Sequence, residues 1–292
     1  MDKLYAMQTF VRVAEAGSFT AVADQLQVDR SAITRQISAL EKHLAAKLIT
    51  RSTRSLTLTA AGAAYLEKCR LILNLVDATE SSLTAQGAQV RGRVRLALPL
   101  SFGLERVMPA LLDFMRLQPN LELLLTMSDE RSNLIEEGLD LAIRVTANLH
   151  PSDILRKLGE CVLRTVASPA YLAKHGTPTH PQELLHHECL LYASTSSAQW
   201  AFSINGEVKA VAVRGRLIAN NGLALLAANA AGMGISVQPD FLAEPFLVRQ
   251  EVVEILAGFA PPPLGIYAVL PSNRYIPHRV AVLIDYLAHA LR

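Results

Sequence analysis

Apolar residues near the N-terminus recur at intervals of three and four. Leu4, Met7, Phe10, Val11 and Ala14 mark the inward face of a first helix. Gly17-Ser18 interrupts it, and Ser18 is a suitable N-cap for a second helix over about 19–26. After the short connection Gln27-Val28, Asp29 is placed to cap a third helix over about 30–44, with Ile33, Ile37, Leu40 and Leu44 turned inward. Two helices joined so tightly make a helix-turn-helix pattern. From Leu48 to Thr59 the period changes to two on either side of Arg51-Ser52-Thr53-Arg54, which predicts a two-stranded wing.

A long helix follows over 60–88, free of proline and with glycine only near its ends. Tyr65, Cys69, Ile72, Val76, Thr79 and Leu83 are spaced as a coiled-coil seam. A helix of about 40 Å exceeds what a small N-terminal domain needs, so the spacing predicts a dimer. The alternative is an amphipathic helix packed on its own domain. Beyond Gly87–Gly92 the texture becomes α/β. Strand-like runs at 94–100, 121–127 and 140–145 alternate with helical runs at 104–117 and 131–138, the pattern of a parallel sheet. A second unit begins near Glu160, with strands at 162–167, 190–193, 200–204 and 208–218. Ser168-Pro169 opens one helix there, and another spans 223–231. A strand at 264–270 and a helix opened by Pro277 return to the first unit. The predicted fold class is α/β, divided into 1–59, a linker helix 60–88 and a two-lobed region 91–292. Lobe I takes about 91–159 and 267–292, lobe II about 160–266, with a cleft between them suited to a ligand.

Composition sharpens this picture. The 292 residues are 51% hydrophobic with 15 Gly and 14 Pro, which excludes a disordered chain and a fibre. Net charge is only +2, yet the excess sits entirely in the first 90 residues. Between Val28 and Leu58, six Lys/Arg face only Asp29 and Glu41. A local basic stretch on a nearly neutral protein points to a polyanion-binding module. The opening Met1-Asp2-Lys3-Leu4-Tyr5 has no apolar signal core, and Cys69, Cys161 and Cys189 fit a reducing compartment. A cytoplasmic protein is expected. The uncharged run 217–239 contains three asparagines and three glycines, so it predicts a buried strand–helix–strand and no membrane span.

The third helix carries the chemistry that fits DNA. Arg30, Ser31, Thr34 and Arg35 fall on its outer face, where N-terminal side chains of a groove-seated helix reach base edges. Arg51 and Arg54 at the wing tip suit phosphates or the minor groove. The run at 9–62, with Ala14-Glu15-Ala16-Gly17-Ser18-Phe19-Thr20-Ala21-Val22-Ala23, Arg35-Gln36-Ile37, Leu40-Glu41, Leu48, Arg51 and Leu56-Thr57-Leu58-Thr59, resembles the DNA-binding domain of LysR-type transcriptional regulators. The resemblance extends over the whole chain. It implies a winged helix-turn-helix, a linker helix and an effector domain like a periplasmic binding protein. It further implies a homodimer assembling to a homotetramer, an inverted-repeat operator, a small-molecule effector and contact with RNA polymerase. Arg30 and Asp29 depart from the residues common in that family, which bears on base preference and leaves capping with Asp29.

Ligands of α/β sheets bind beyond the carboxyl ends of strands. That rule singles out Leu100, Ser101 and Phe102 after the first strand, Ser128 after the second and Arg144 at the third. Lobe II adds Ser194 and the pair Asn220-Asn221. A helix start at Leu100 suits an anion. Each serine has a plain helix-capping alternative, and Arg144 has an ion pair with Asp140 or Glu136 as its alternative. His186-His187-Glu188-Cys189 lacks a second ligand pair and predicts a polar loop, so no metal is expected. A thiol switch through Cys161 and Cys189 has little basic support. No phosphate loop, nucleophile elbow or carboxylate pair is present, so no cofactor is expected. A solute-binding protein or an enzyme of the cleft remain the competing classes, both disfavoured by residues 1–58.

Overall fold

The computed structural model describes residues 2–51, 56–83, 90–130, 132–147, 154–193, 198–271 and 276–291. The chain forms two compact units that divide near residue 88.

In the first unit, α1 (Lys3–Ala16), α2 (Phe19–Leu26) and α3 (Arg30–Leu44) precede a hairpin of β1 (Ile49–Arg51) and β2 (Leu56–Leu58), then α4 (Ala60–Leu83). Its core contains Phe10, Val13, Val22, Ile33, Ile37, Leu40, Leu48 and Cys69. The most buried stripe of α1 is Ala6, Thr9, Phe10 and Val13; of the expected face, Met7, Val11 and Ala14 are half-buried against the same core and Leu4 is exposed. Small Ala6 lets α1 pack closely, and the Thr9 hydroxyl is satisfied by the Tyr5 carbonyl four residues back. Ser18 caps α2 by accepting the Ala21 N–H. Asp29 stands at the N-cap of α3 but makes no side-chain cap, contrary to expectation.

The second unit contains β3 (Gly92–Leu98), a helical run made of α5 (Leu100–Phe102), a π turn (Gly103–Val107) and α6 (Met108–Leu117), then β4 (Leu121–Met127), β5 (Leu141–Thr146) and β6 (Ile154–Cys161). The helical run begins four residues earlier than its apolar pattern predicts. The expected helix over 131–138 is a single turn at 134–138, ended by Gly138 in the left-handed region. Asn133 favours that turn by accepting the Ile135 and Glu136 N–H groups. Next come β7 (Leu163–Ala167), α7 (Pro169–His175), β8 (Leu191–Tyr192), β9 (Gln199–Ile204), β10 (Glu207–Ala212), β11 (Ile218–Ala219), α8 (Gly222–Ala230), β12 (Ile235–Pro239), α9 (Asp240–Val248), β13 (Val253–Ile255), β14 (Leu264–Leu270) and α10 (His278–Ala290). The strand expected over 208–218 ends at Ala212, and the chain then passes so close to Cys189 that a Cβ on Gly215 would lie 1.6 Å from its carbonyl oxygen.

Two sheets organise the lobes. The larger runs β4-β3-β5-β14-β6, parallel around β3 and antiparallel at β14. Leu96, Leu98, Leu111, Phe114, Leu141, Ile143, Leu283 and Leu287 form its main core with α6 and α10. The smaller sheet, β12-β7-β13, is antiparallel. The chain changes sheets between Cys161 and Leu163, and returns before Leu264. Two crossings bring the α5 end of one lobe against the α8 end of the other.

Candidate nucleic-acid interface and interlobe site

Helix α3 presents its polar face because Ile33, Ile37 and Leu40 hold the opposite face in the core. Arg30, Ser31 and Arg35 are exposed and Thr34 is half-buried, so all four share one surface at the helix start. Glu41, on the inward side, is the anchor that pattern reading passes over. Its carboxylate accepts the Leu48 N–H at 2.9 Å and the Ile49 N–H at 3.2 Å, and pairs with Lys47 at 2.7 Å. It thereby ties the first wing strand to the third helix. Thr59 does the same from the other side: its hydroxyl donates to the Lys47 carbonyl and accepts the Gly62 N–H at the start of α4. A Cβ on Gly62 would lie 2.0 Å from the Leu48 carbonyl oxygen, so only glycine permits this junction. Arg51 pairs with Leu56 in the wing ladder. Arg54 lies outside the described residues.

In α4 the expected seam divides. Tyr65 and Cys69 pack on their own unit, with the Phe10 and Tyr65 rings 5.6 Å apart. Beyond them Ile72 of the seam is exposed at 38% and Val76 is half-buried, while Leu71 and Leu75, beside the expected seam, are exposed at 51% and 48%.

Between the lobes, the Asn221 side chain reaches across. Asn221 caps α8, its Oδ1 accepting the Leu223 and Ala224 N–H groups. Its Nδ2 donates to Ser101 Oγ at 3.2 Å and to Asp129 Oδ2 at 3.1 Å. Asp129 Oδ1 in turn accepts the Leu100 N–H at 2.9 Å. The helix start expected to suit an anion is therefore occupied by the protein's own carboxylate, a residue the strand-end rule missed by one position. Ser101 is buried in this contact. Ser128, next to Asp129, accepts the Glu130 N–H in a local turn. Arg144 is half-buried and donates to the Ser132 carbonyl. Phe102 belongs to the core, edge-on to Phe241 at 5.3 Å. Leu100 and Asn220 are exposed, and Ser194 lies outside the described residues. Beneath α8 a buried chain links Gln238, Ser236 and Asn229, and Asn229 donates onward to the Val166 and Gly234 carbonyls. It satisfies polar groups that would otherwise cost stability in an apolar lobe.

His187 is buried with Nδ1 3.2 Å from the Tyr171 hydroxyl, which also accepts the Glu188 N–H. Among the described residues no three His, Cys, Asp or Glu side chains converge as a metal site. Burial pushes the Cys161 and Cys189 thiols up to about 12, which opposes thiolate formation. No helix among the described residues is long and apolar enough to cross a membrane.

Residues 4–63 match the model for bacterial regulatory helix-turn-helix proteins of the lysR family, and residues 87–292 match the LysR substrate binding domain. The chain belongs to the LysR family of transcriptional regulators. It is 34% identical to an HTH-type transcriptional regulator of Haemophilus influenzae over 96% of this chain and 98% of that one. It is 31% identical to the HTH-type regulator CrgA of Neisseria meningitidis, over 98% and 96% of the two chains. The solved structure of CrgA aligns with a TM-score of 0.62 over 98% of each chain. That of AphB, a virulence activator of Vibrio cholerae, aligns at 0.61 and 30% identity over 99% of each. This LysR-type regulator thus pairs an N-terminal DNA-binding helix-turn-helix with a two-lobed effector-binding domain, and its family consists of transcriptional regulators, not enzymes.

Proposed function

We propose that this regulator reads an inverted-repeat operator through the exposed start of α3. Arg30 and Arg35 contact base edges, Ser31 and Thr34 contact bases or phosphates, and Arg51 and Arg54 hold the backbone or minor groove from the wing. The observation that carries this reading is the shared exposed surface of four polar residues on a helix whose opposite face is locked by Ile33, Ile37 and Leu40. A helix start in the major groove places such side chains at base edges. Residues 1–59 act as the reading head, 60–88 as the dimerisation helix and 91–292 as the sensor. A small effector binds between the lobes, near Leu100, Ser101, Phe102, Ser128, Arg144, Ser194, Asn220 and Asn221. The bridge from Asn221 to Ser101 and Asp129 supports this, since a ligand there gains or breaks interlobe bonds and so shifts lobe closure.

Exposed apolar residues support a homodimer that pairs into a homotetramer. One set lies on α4 and another, Leu112, Met115 and Leu117, on α6. The protein works in the cytoplasm and acts on transcription through RNA polymerase at the promoter. The test is selection of binding sites from a random duplex pool, followed by gel shifts of the full-length protein at two salt concentrations. Arg30→Ala and Arg35→Ala are each expected to cost about 1–3 kcal/mol on the selected site. Arg54→Ala should weaken selected and unrelated duplexes alike and flatten the salt dependence. Unchanged specificity in both helix variants would refute the α3 reading.

A further inference from the structure

One carboxylate lies at the Asn221 contact between the lobes. Asp129 takes the Leu100 N–H on one oxygen and the Asn221 amide on the other. Both donors are neutral, and among the described residues no Lys, Arg or His forms an ion pair with Asp129. The negative charge is felt across the cleft at Tyr192, at the end of β8. There burial, and after it the Asp129 charge, pushes the phenol up to about 12. The half-buried site thus holds a charge that neutral dipoles solvate. Each carboxylate oxygen keeps a further lone pair for a donor.

We propose that this site selects an effector bearing a positively charged nitrogen, an amine or an amidinium, and that Asp129 sets the selection. The inference rests on the reading that the effector binds between the lobes. A carboxylate effector meets two penalties there. The helix-start N–H it would use is already bonded to a competitor tethered to the same chain. If it sits alongside instead, it is a like charge close to Asp129, in a half-buried site where screening is weaker than at an open surface. A cationic nitrogen gains from the same field and makes charge-assisted hydrogen bonds to the open lone pairs.

The test uses the full-length protein and three probes of nearly equal shape: benzamidine, benzamide and benzoate. Thermal unfolding and titration calorimetry are the readouts. Benzamidine is expected to bind saturably and at least tenfold more tightly than benzoate. Asp129→Asn should remove that margin, and Asp129→Glu, which keeps the charge, should retain part of it. Ser101→Phe, which fills the site, should abolish binding; where that variant is unstable, the Asp129 pair carries the comparison. A preference for benzoate, or no binding of benzamidine, overturns the selection. A benzamidine preference that survives Asp129→Asn overturns the role of Asp129. Benzoate binding that is preferred in the wild type and lost in Ser101→Phe leaves the interlobe site standing and removes only the charge selection. Binding of all probes that survives both Ser101→Phe and Asn221→Ala removes the interlobe site itself.

Discussion

Glu41 joins three parts of the DNA-binding unit through one side chain. Burial alone would raise its pKa, but the Lys47 hydrogen bond and the Leu48 and Ile49 N–H groups outweigh burial and hold it below the usual range. A carboxyl whose pKa is lower folded than unfolded adds stability above its unfolded value, near 4.5, and loses it as pH falls through the folded value. Glu41→Ala strands two buried N–H donors and is expected to cost about 3 kcal/mol. Its thermal unfolding, followed from neutral to acid pH, should lose less on acidification than the wild type does. His187 carries the opposite charge type. Burial, and next the charge of His175, lowers its pKa below 6.5. The unfolded imidazole then takes a proton that the folded one refuses, so lobe II loses stability as pH drops below about 6.5. Melting of His187→Gln across the same range should show a shallower decline. A decline as steep as that of the wild type would place the titrating group elsewhere.

Among the elements, α4 has two roles along one helix. Its first turns are consumed by their own unit through Leu66 and Cys69, and its middle leaves Leu71, Ile72 and Leu75 exposed. Coiled-coil partners bury such residues in each other. Ile72→Glu with Leu75→Glu is expected to shift the protein toward monomer in sedimentation velocity and to weaken operator binding, while circular dichroism stays unchanged. A double variant that stays dimeric through this helix would rule out pairing through this exposed set. The junction below it is stricter. Gly62→Ala must displace the Leu48 backbone, so a loss of about 2 kcal/mol or more is expected in chemical unfolding, well beyond the usual helix-favouring effect of alanine.

For the whole molecule, the Asn221 bridge is a polar tie between the two lobes of the effector domain. Asn221→Ala removes the donor to Ser101 and Asp129 and also the cap of α8. A lost cap costs about 1 kcal/mol. Hydrogen exchange should speed up at Leu223 and Ala224. If the bridge holds the lobes, it should also speed up at Leu100, across the cleft. Protection unchanged at Leu100 would show that the bridge does not govern closure. Coupling of effector to operator affinity is expected on the scale of about 1–3 kcal/mol, and by reciprocity operator DNA should tighten or weaken the effector by the same factor.

The local signals in the sequence determined the helix-turn-helix, the wing, the long helix and the α/β alternation, because each depends on periodicity and caps within a few residues. Ser18 and Ser168 read as caps and act as caps. Where the signal was an average over weak periodicity, packing decided instead. The inward stripe of α1 was set by which side chains let it approach α3 and α4, and the single turn at 134–138 by Asn133 and Gly138. The pattern gave no sign of α9, which carries Pro245 within it and gains its place by packing on the Val166 side of the small sheet. The roles of Glu41, Thr59, Gly62 and Asp129 were invisible for a common reason. Each is defined by a backbone group or side chain brought near only by the fold. Asp129 and Leu100 are 29 positions apart and Asn221 lies 92 beyond, so no spacing rule links them. Sequence pattern named the strand ends; only the tertiary structure put the protein's own carboxylate there.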